Sequence, residues 1–268
     1  MEEKDLICDL SKEKSYPIKR IITGNDMAKL FLEDDRISVS VDDYFHYDLK
    51  NQQALDEETY RLLKEHEKVL KAYQSCLRKL SMKDHTVRQI REHLEKREIP
   101  GNDIDSMIKK LIDYDLLNDE KYCQNKIVHY DNDNLSYRQI RQKLKNEGIS
   151  EQLITEHLKK DDSKEFEKAC VLAEKYERSI RNKTAKMKKQ AILSRLAGQG
   201  YSYEIASKAA DALDLQEENE VELLNKEYLK AKRRYEKKYE GYDLKNHIVS
   251  YLLSKGFDYE NIVKMTEE

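Results

Sequence analysis

Only two prolines and seven glycines punctuate the 268 residues, and tryptophan is absent. Turn chemistry this scarce excludes a strand-rich fold and favours long helices joined by short connections. The four cysteines, Cys8, Cys76, Cys123 and Cys170, form no C-x-x-C pair, which removes the zinc-ribbon and redox-motif readings. Cys76, Cys123 and Cys170 stand in apolar helical contexts and read as buried thiols in a reducing compartment. No apolar run approaches the roughly 20 residues that span a bilayer, and the start of the chain has no signal-peptide pattern. A cytoplasmic location without membrane attachment is expected. Catalytic signatures are equally missing: there is no glycine-rich phosphate loop, no G-x-S-x-G and no H-E-x-x-H. The seven histidines are scattered, and His93 and His247 read as surface or boundary residues rather than ligands. No carboxylate stands in an apolar setting that would raise its pKa for acid–base work. The chain reads as a non-enzyme with no metal ligands and no cofactor.

What is abundant is charge. Charged and hydrophobic residues each make up 38% of the chain, whereas globular domains run at roughly 25% charged and 45–50% apolar. An elongated molecule, with more surface for its volume, tolerates this mix. The net charge of −3 hides segregation. Between Lys164 and Arg195 lie ten Lys/Arg and four Glu, a balance of +6, while Asp214 to Glu222 is almost wholly acidic. Basic faces of this kind contact polyanions, although any single charge run is ordinarily a solvated helix face.

The first 65 or so residues differ from the rest. Ile18 to Thr23 and the alternating Arg36-Ile-Ser-Val-Ser-Val41 have strand character, with a turn at Gly24-Asn25. Phe31 to Arg36 reads as a strand, a tight acidic turn and a return strand. A small β-rich module (1–65) is expected, followed by a helix near Asp56 to Lys79. From about residue 66 the chain repeats itself. The segments Thr86–Ile99, Ser136–Ile149, Lys188–Tyr201 and Leu244–Phe257 superimpose, with equivalent positions Glu98, Gly148, Gly200 and Gly256 spaced 50, 52 and 56 residues apart. Such self-similarity marks a tandem array.

Each segment places an Ile four residues before a Leu, at 90/94, 140/144, 192/196 and 248/252, so each pair shares one helix face. Three segments then carry Gly where a helix end takes a left-handed residue. An apolar residue follows (Ile149, Tyr201, Phe257), then a helix-capping residue (Ser150, Ser202, Asp258) with Glu in the next turn. The first segment uses Pro100-Gly101-Asn102 there instead. With a further helix upstream of each motif, the expected architecture is mainly α: an elongated tandem array of three-helix, helix-turn-helix-like repeats with a small β-containing N-terminal module. The expected repeats are 66–118, 119–162, 163–215 and 216–268.

The functional signal is a recurring pair of cations. Arg88 and Arg91 correspond to Arg138 and Arg141, and their i, i+3 spacing sets each pair on one stripe opposite Ile90 and Ile140. Arg78, Lys79 and Lys83 add to this surface from the preceding helix. Later repeats are basic elsewhere, at Lys183, Lys186, Lys188 and Lys189, and at Lys230, Lys232, Arg233, Arg234, Lys237 and Lys238. Stripes on successive repeats can track a long, periodic, negatively charged partner. Intrahelical pairing with Glu accounts for others of these residues. The 18 tyrosines recur at helix ends, as at Tyr114, Tyr122, Tyr130, Tyr137, Tyr201 and Tyr259. Boundary packing explains them more simply than stacking on bases.

The residues Leu77-Arg-Lys-Leu-Ser-Met-Lys-Asp84 followed by Arg88-Gln-Ile-Arg91-x-x-Leu94 resemble the first-repeat signature of the bacterial RecX family. Leu116-Leu-Asn-Asp-Glu-Lys-Tyr122 and Ser136-Tyr-Arg-Gln-Ile-Arg141-x-x-Leu144-x-x-x-Gly148-Ile149 resemble its second. The likeness is most specific over residues 70–160, and the N-terminal module and fourth repeat resemble longer members from low-GC Gram-positive bacteria. The resemblance implies a cytoplasmic regulator that needs no cofactor. Such a protein lies in the groove of the RecA nucleoprotein filament and modulates, usually inhibits, its ATPase and strand-exchange activity in recombination and the SOS response. It also implies a monomer with weak, salt-dependent affinity for single- and double-stranded DNA. The arginine pair is not repeated further on: Gln190 and Leu193, then Asn246 and Val249, occupy those positions. Two other functions fit a basic helical array. A transcriptional regulator would carry Asn, Gln and Arg on the helix after the turn, where this chain has Glu151, Glu156, Glu204 and Glu260. A protein–protein scaffold would show no salt-dependent DNA affinity.

Overall fold

A computed structural model describes residues 14–215 and 220–267, and the chain divides into two compact units, one ending at Tyr122 and one beginning at Cys123. Cys8 and part of the acidic stretch 214–222 lie outside the described residues.

The first unit opens with strands β1 (Tyr16–Pro17), β2 (Arg20–Thr23), β3 (Met27–Phe31) and β4 (Arg36–Ser40). Helix α1 (Val41–His46), strand β5 (Ala54–Leu55) and the 26-residue helix α2 (Glu57–Met82) follow. Strands β2, β3 and β4 form an antiparallel sheet in which Leu30 faces Ile37 and Ala28 faces Val39, and β1 pairs with β5. The alternation of β3 and β4 turns Ala28, Leu30, Ile37 and Val39 inward, where Leu63 of α2 completes their cluster. The acidic turn and the expected strands are present, the first of them over Arg20–Thr23 alone, and the Leu32 amide closes the turn on the Asp35 carbonyl. Three details differ from expectation. Val41 begins a helix rather than ending a strand, because Ser40 accepts the Asp43 amide as an N-cap. The β1–β5 pair is too short to leave an alternation in the sequence. Helix α2 runs three residues past Lys79 and continues unbroken through residue 65. Its first half serves the sheet, and its second half, through Ala72 and Cys76, packs with α3 (Val87–Glu95) and α4 (Gly101–Asp113) around Ile90, Leu94 and Leu111.

The division between the units falls within α5 (Asp119–Asn132), and the second unit continues with α6 (Tyr137–Glu147), α7 (Glu151–His157), α8 (Asp162–Ser179), α9 (Ala185–Gly198) and α10 (Tyr203–Asp211). It ends with α11 (Glu220–Tyr235), α12 (Gly241–Ser254) and α13 (Tyr259–Glu267). One cluster gathers α8, α9 and α10 around Ile192, Leu196 and Ala206, and another gathers α11, α12 and α13 around Ile248, Leu252 and Ile262.

All four Ile–Leu pairs are buried, none more than 4% exposed. After each pair the chain closes the same turn: the amides of Ile99, Ile149, Tyr201 and Phe257 donate to the carbonyls of Leu94, Leu144, Leu196 and Leu252. This is the six-to-one bond of a Schellman motif, which needs a left-handed residue just before the closing amide. Gly148, Gly200 and Gly256 supply it at φ 97°, 85° and 85°, and Glu98 adopts it at 54° in the first repeat. The caps of the motif helices differ in position and in bonding, and the Glu240 side chain makes no cap hydrogen bond. Thr86 and Ser136 cap α3 and α6 four residues before the buried Ile, each in a capping box with Gln89 or Gln139. Thr184 and Glu240 cap α9 and α12 eight residues before theirs, so these helices gain a full turn.

Within the second unit, successive repeats interlock. The Ser136 hydroxyl donates to the Gln199 carbonyl at 2.8 Å, and the Thr184 hydroxyl to the Lys255 carbonyl at 3.3 Å. Each N-cap of one repeat therefore grips the Schellman turn of the next, in front of Gly200 and Gly256. The Gln139 amide reaches the Gln199 side-chain oxygen at 2.7 Å, and the Tyr201 hydroxyl reaches the Asn134 carbonyl at 2.7 Å.

Candidate nucleic-acid interface

Helix α3 carries Arg88 and Arg91. Arg88 lies 3.5 Å from Glu92 one turn on, and Arg91 bonds Asp105 of α4 at 2.6 Å. Arg78 and Lys79 sit in the last turns of α2 and Lys83 at its C-cap. Arg78 and Lys83 are exposed and Lys79 half-buried, and none has an ion-pair partner among the described residues. In the second unit, Arg138 and Arg141 occupy the same positions on α6. Arg141 bonds Glu151 of α7 and approaches the Tyr137 hydroxyl at 3.4 Å. Arg138 is exposed, has no carboxylate partner among the described residues, and flanks the turn at Gly200. On α9, Lys186 is exposed without an ion pair among the described residues, Lys188 lies 3.5 Å from Glu177 and Lys189 pairs with Asp211. The ten candidates thus divide evenly between cations held by neighbouring carboxylates and cations held by none. Exposed pairs of this kind contribute about 0–1 kcal/mol, so a phosphate can displace the carboxylate at little cost.

Lys188 also belongs to a cleft in the second unit that the sequence does not reveal as a whole. Arg178, Arg181, Lys183, Lys188 and Lys226 line it together with Glu177, Glu220 and Glu222, around a cavity of about 550 Å³ beside the first turn of α9. Four of these five cations fall within the +6 window; Lys226 reaches the cleft from α11, and only folding brings it there. The amino end of α9 adds partial positive charge.

One expectation is corrected. Burial pushes the Asp119 carboxyl up, against the Val87 amide that it accepts at 2.8 Å, and Glu67 and Glu165 are each 4% exposed. These carboxylates have structural partners. Glu67 takes the Ser38 amide of β4 at 2.6 Å, and Glu165 takes the Tyr137 amide at 2.6 Å. Asp119 and Glu165 play one role in two places, each offering an acid from the first helix of one repeat to the amino end of the preceding motif helix. Their sequence contexts are polar, and only the tertiary fold covers them. The thiols of Cys76 and Cys123 are buried as expected, and Cys170 is half-buried. His93 is half-buried against Ser75 at 2.8 Å, and His247 is exposed. Among the described residues no cluster of His, Cys, Asp and Glu has the makings of a metal site, and no helix is long and apolar enough to cross a membrane.

Three-helix repeats closed by Schellman turns, with cations on the outer stripe of the motif helix, define a helical-repeat protein. Residues 72–111 match the family model for the first three-helix domain of RecX and residues 217–264 that for the third. The regulatory protein RecX of Lactococcus lactis subsp. lactis (strain IL1403) is 33% identical over 239 residues, covering 87% of this chain and 88% of its own. That of Streptococcus pneumoniae (strain 70585) is 31% identical, covering 87% and 92%. A crystal structure of RecX from Lactobacillus salivarius, 28% identical, superimposes with a TM-score of 0.50 over 56% of this chain and 98% of that one. A second RecX crystal structure, 24% identical, shares the fold with a TM-score of 0.58, covering 73% and 99%. The chain belongs to the RecX family of regulatory proteins.

Proposed function

We propose that this protein binds the RecA nucleoprotein filament and restrains its ATP hydrolysis and strand exchange, acting in recombination and the DNA-damage response. The observation that carries the reading is the recurrence of one device in two repeats. A capped helix buries an Ile–Leu seam on one side and presents an arginine pair on the other, as Arg88 with Arg91 and Arg138 with Arg141. A recombinase filament repeats its charge along its length, and a cation pair carried on more than one repeat suits it better than a compact ligand. The regulatory role printed for relatives along nearly nine-tenths of the chain supports the same conclusion. In this reading the protein is a cytoplasmic monomer, needs no cofactor, and touches single- and double-stranded DNA weakly and in a salt-dependent way. Helices α7, α10 and α13, which follow the turns, carry Glu151, Glu156, Glu204 and Glu260; a duplex-reading regulator would expose Arg, Asn and Gln there.

The test adds the pure protein to recombinase assembled on single-stranded DNA and follows ATP turnover and filament length together over a salt series. Turnover and length are expected to fall together, with the effect weakening as salt rises. Unchanged turnover and length at low salt would overturn the proposal.

A further inference from the structure

The carboxyl end of α11 and the residues after it are as basic as the stretch 181–189. Lys230 to Lys238 holds six cations against Glu236 alone. Lys230 is tied to Glu227, whereas Lys232, Arg233, Lys237 and Lys238 are exposed with no ion pair among the described residues. Aromatic rings are gathered at the same place. Helix α11 ends at Tyr235, and the amides of Lys238 and Tyr239 both donate to the Tyr235 carbonyl at 2.9 and 3.0 Å. This folds the chain back so that Tyr239 lies on His247 of α12, ring centroids 3.9 Å apart. Tyr235 lies 5.6 Å from His247, tilted by only 20°. Tyr251, one turn beyond His247, stands 6.2 Å from Tyr235. Two cations attend the rings: Arg234 at 5.5 Å from Tyr235 and Lys255 at 5.3 Å from Tyr251.

Packing explains part of this cluster. Tyr235 and Tyr251 rest against the core of α11, α12 and α13, and the Tyr251 hydroxyl donates to Glu227 at 2.9 Å. Tyr239 and His247 do not belong to that core. Their rings face each other at its rim, 3.9 Å apart and tilted by 31°, with Tyr239 half-buried and His247 exposed. Two facing rings outside a core, next in the chain to cations with no ion pair among the described residues, offer the two things an unpaired nucleotide needs. Those are a flat π-face for the base and positive charge for the phosphate. A duplex keeps its bases stacked inside and uses only the charge, and an acidic peptide has no use for the ring face.

We infer that Tyr239 and His247, with Lys237 and Lys238 beside them, form a subsite for single-stranded nucleic acid in which an unpaired base stacks on the aromatic pair. The subsite rests on the filament reading above and names where the fourth repeat meets the strand. It also gives this repeat a contact of its own, since Asn246 and Val249 stand where the first two repeats carry arginines.

The experiment uses the full chain and a fluorescein-labelled 30-mer of thymidylate without recombinase, with a duplex of equal length as control, read by anisotropy over a salt series. Tyr239→Ala with His247→Ala is expected to weaken thymidylate binding about tenfold or more while leaving duplex binding and the salt slope unchanged. Tyr239→Phe with His247→Phe is expected to bind like the wild type, because the ring faces are kept. Lys237→Gln with Lys238→Gln is expected to flatten the salt slope by about 1.4, two phosphates' worth on a single strand. Tyr239→Leu with His247→Leu keeps the bulk and removes the π-face, so it is expected to behave like the alanine pair even if that pair melts early. Wild-type thymidylate binding by the leucine pair, or equal losses on duplex and single strand, would overturn the subsite. Recombinase ATPase inhibition by the wild-type protein, measured alongside, separates the two claims: intact inhibition with no stack-dependent binding sinks the subsite alone, and stack-dependent binding without inhibition sinks the filament reading alone.

Discussion

Leu144 has no exposed surface, and Ile140, four residues earlier, has none either. Removing the Leu144 side chain deletes apolar contacts and leaves a cavity, so Leu144→Ala is expected to lower unfolding stability by about 2–5 kcal/mol in urea titration. A cost near zero would mean that the helix faces another way. Asp35 gives a pH-dependent counterpart in the first unit. Hydrogen bonds from Lys64 at 2.9 Å and Tyr60 at 2.7 Å hold its carboxyl down at about 2, below the ordinary 3.8. A carboxyl depressed in the folded state stabilises above its unfolded pKa and loses that contribution as pH falls toward the folded one. Asp35→Asn is therefore expected to remove a stability loss between about pH 4 and 2 from the acid limb of the unfolding curve. The side chain is about a third exposed, so the effect stays near 1 kcal/mol or less. At this scale the seam residues were legible in the sequence, because a four-residue interval repeated four times leaves little choice of face. Asp119 and Glu165 were not, since their burial comes from a helix 28 or more residues away in the chain.

The turns between the second and third helices were legible as elements, and two neighbouring glycines separate their physics. Gly198 lies in the last turn of α9 with open space around a would-be side chain, so Gly198→Ala is expected to stabilise by about 0.5–1 kcal/mol. Gly200 is left-handed at φ 85°, and a methyl there would come within 2.9 Å of Ser136 Oγ. Gly200→Ala is expected to cost about 1–3 kcal/mol and to disturb the hydroxyl that ties α6 to the next repeat. Thermal melts of the two variants moving in the same direction would contradict this account of the turn. The added turn at the start of α9 and α12 was hidden, because Thr184 and Glu240 lie a further four residues upstream of the aligned segments. The positions of the arginine pair persist in the longer helices, but Gln190 and Leu193, then Asn246 and Val249, fill them. Lys186 belongs to the added turn of α9, Lys188 aligns with the caps Thr86 and Ser136, and Lys189 aligns with Val87 and Tyr137.

For the whole molecule, composition and periodicity together indicated a mainly helical repeat protein with a strand-bearing start, and the two units contain those parts. The sequence could not indicate how α2 serves two cores: Leu63 closes the sheet cluster, and Ala72 and Cys76, two to four turns on, belong to the first three-helix core. An amphipathic pattern reports which face is buried, not which neighbour buries it. The functional surface was legible as charge but not as availability. Arg91 and Arg141 hold carboxylates, whereas Arg138 and Lys186 hold none among the described residues, and only the folded arrangement makes that division. The most direct measurement of the central claim titrates recombinase–single-stranded-DNA complexes with the variant carrying Arg88→Glu, Arg91→Glu, Arg138→Glu and Arg141→Glu. DNA-dependent ATP hydrolysis is the readout, beside helicity and melting temperature. The expected result is a folded protein, with helicity preserved and a melting temperature within a few degrees of the wild type, that no longer inhibits. A variant that inhibits at wild-type concentrations would contradict it.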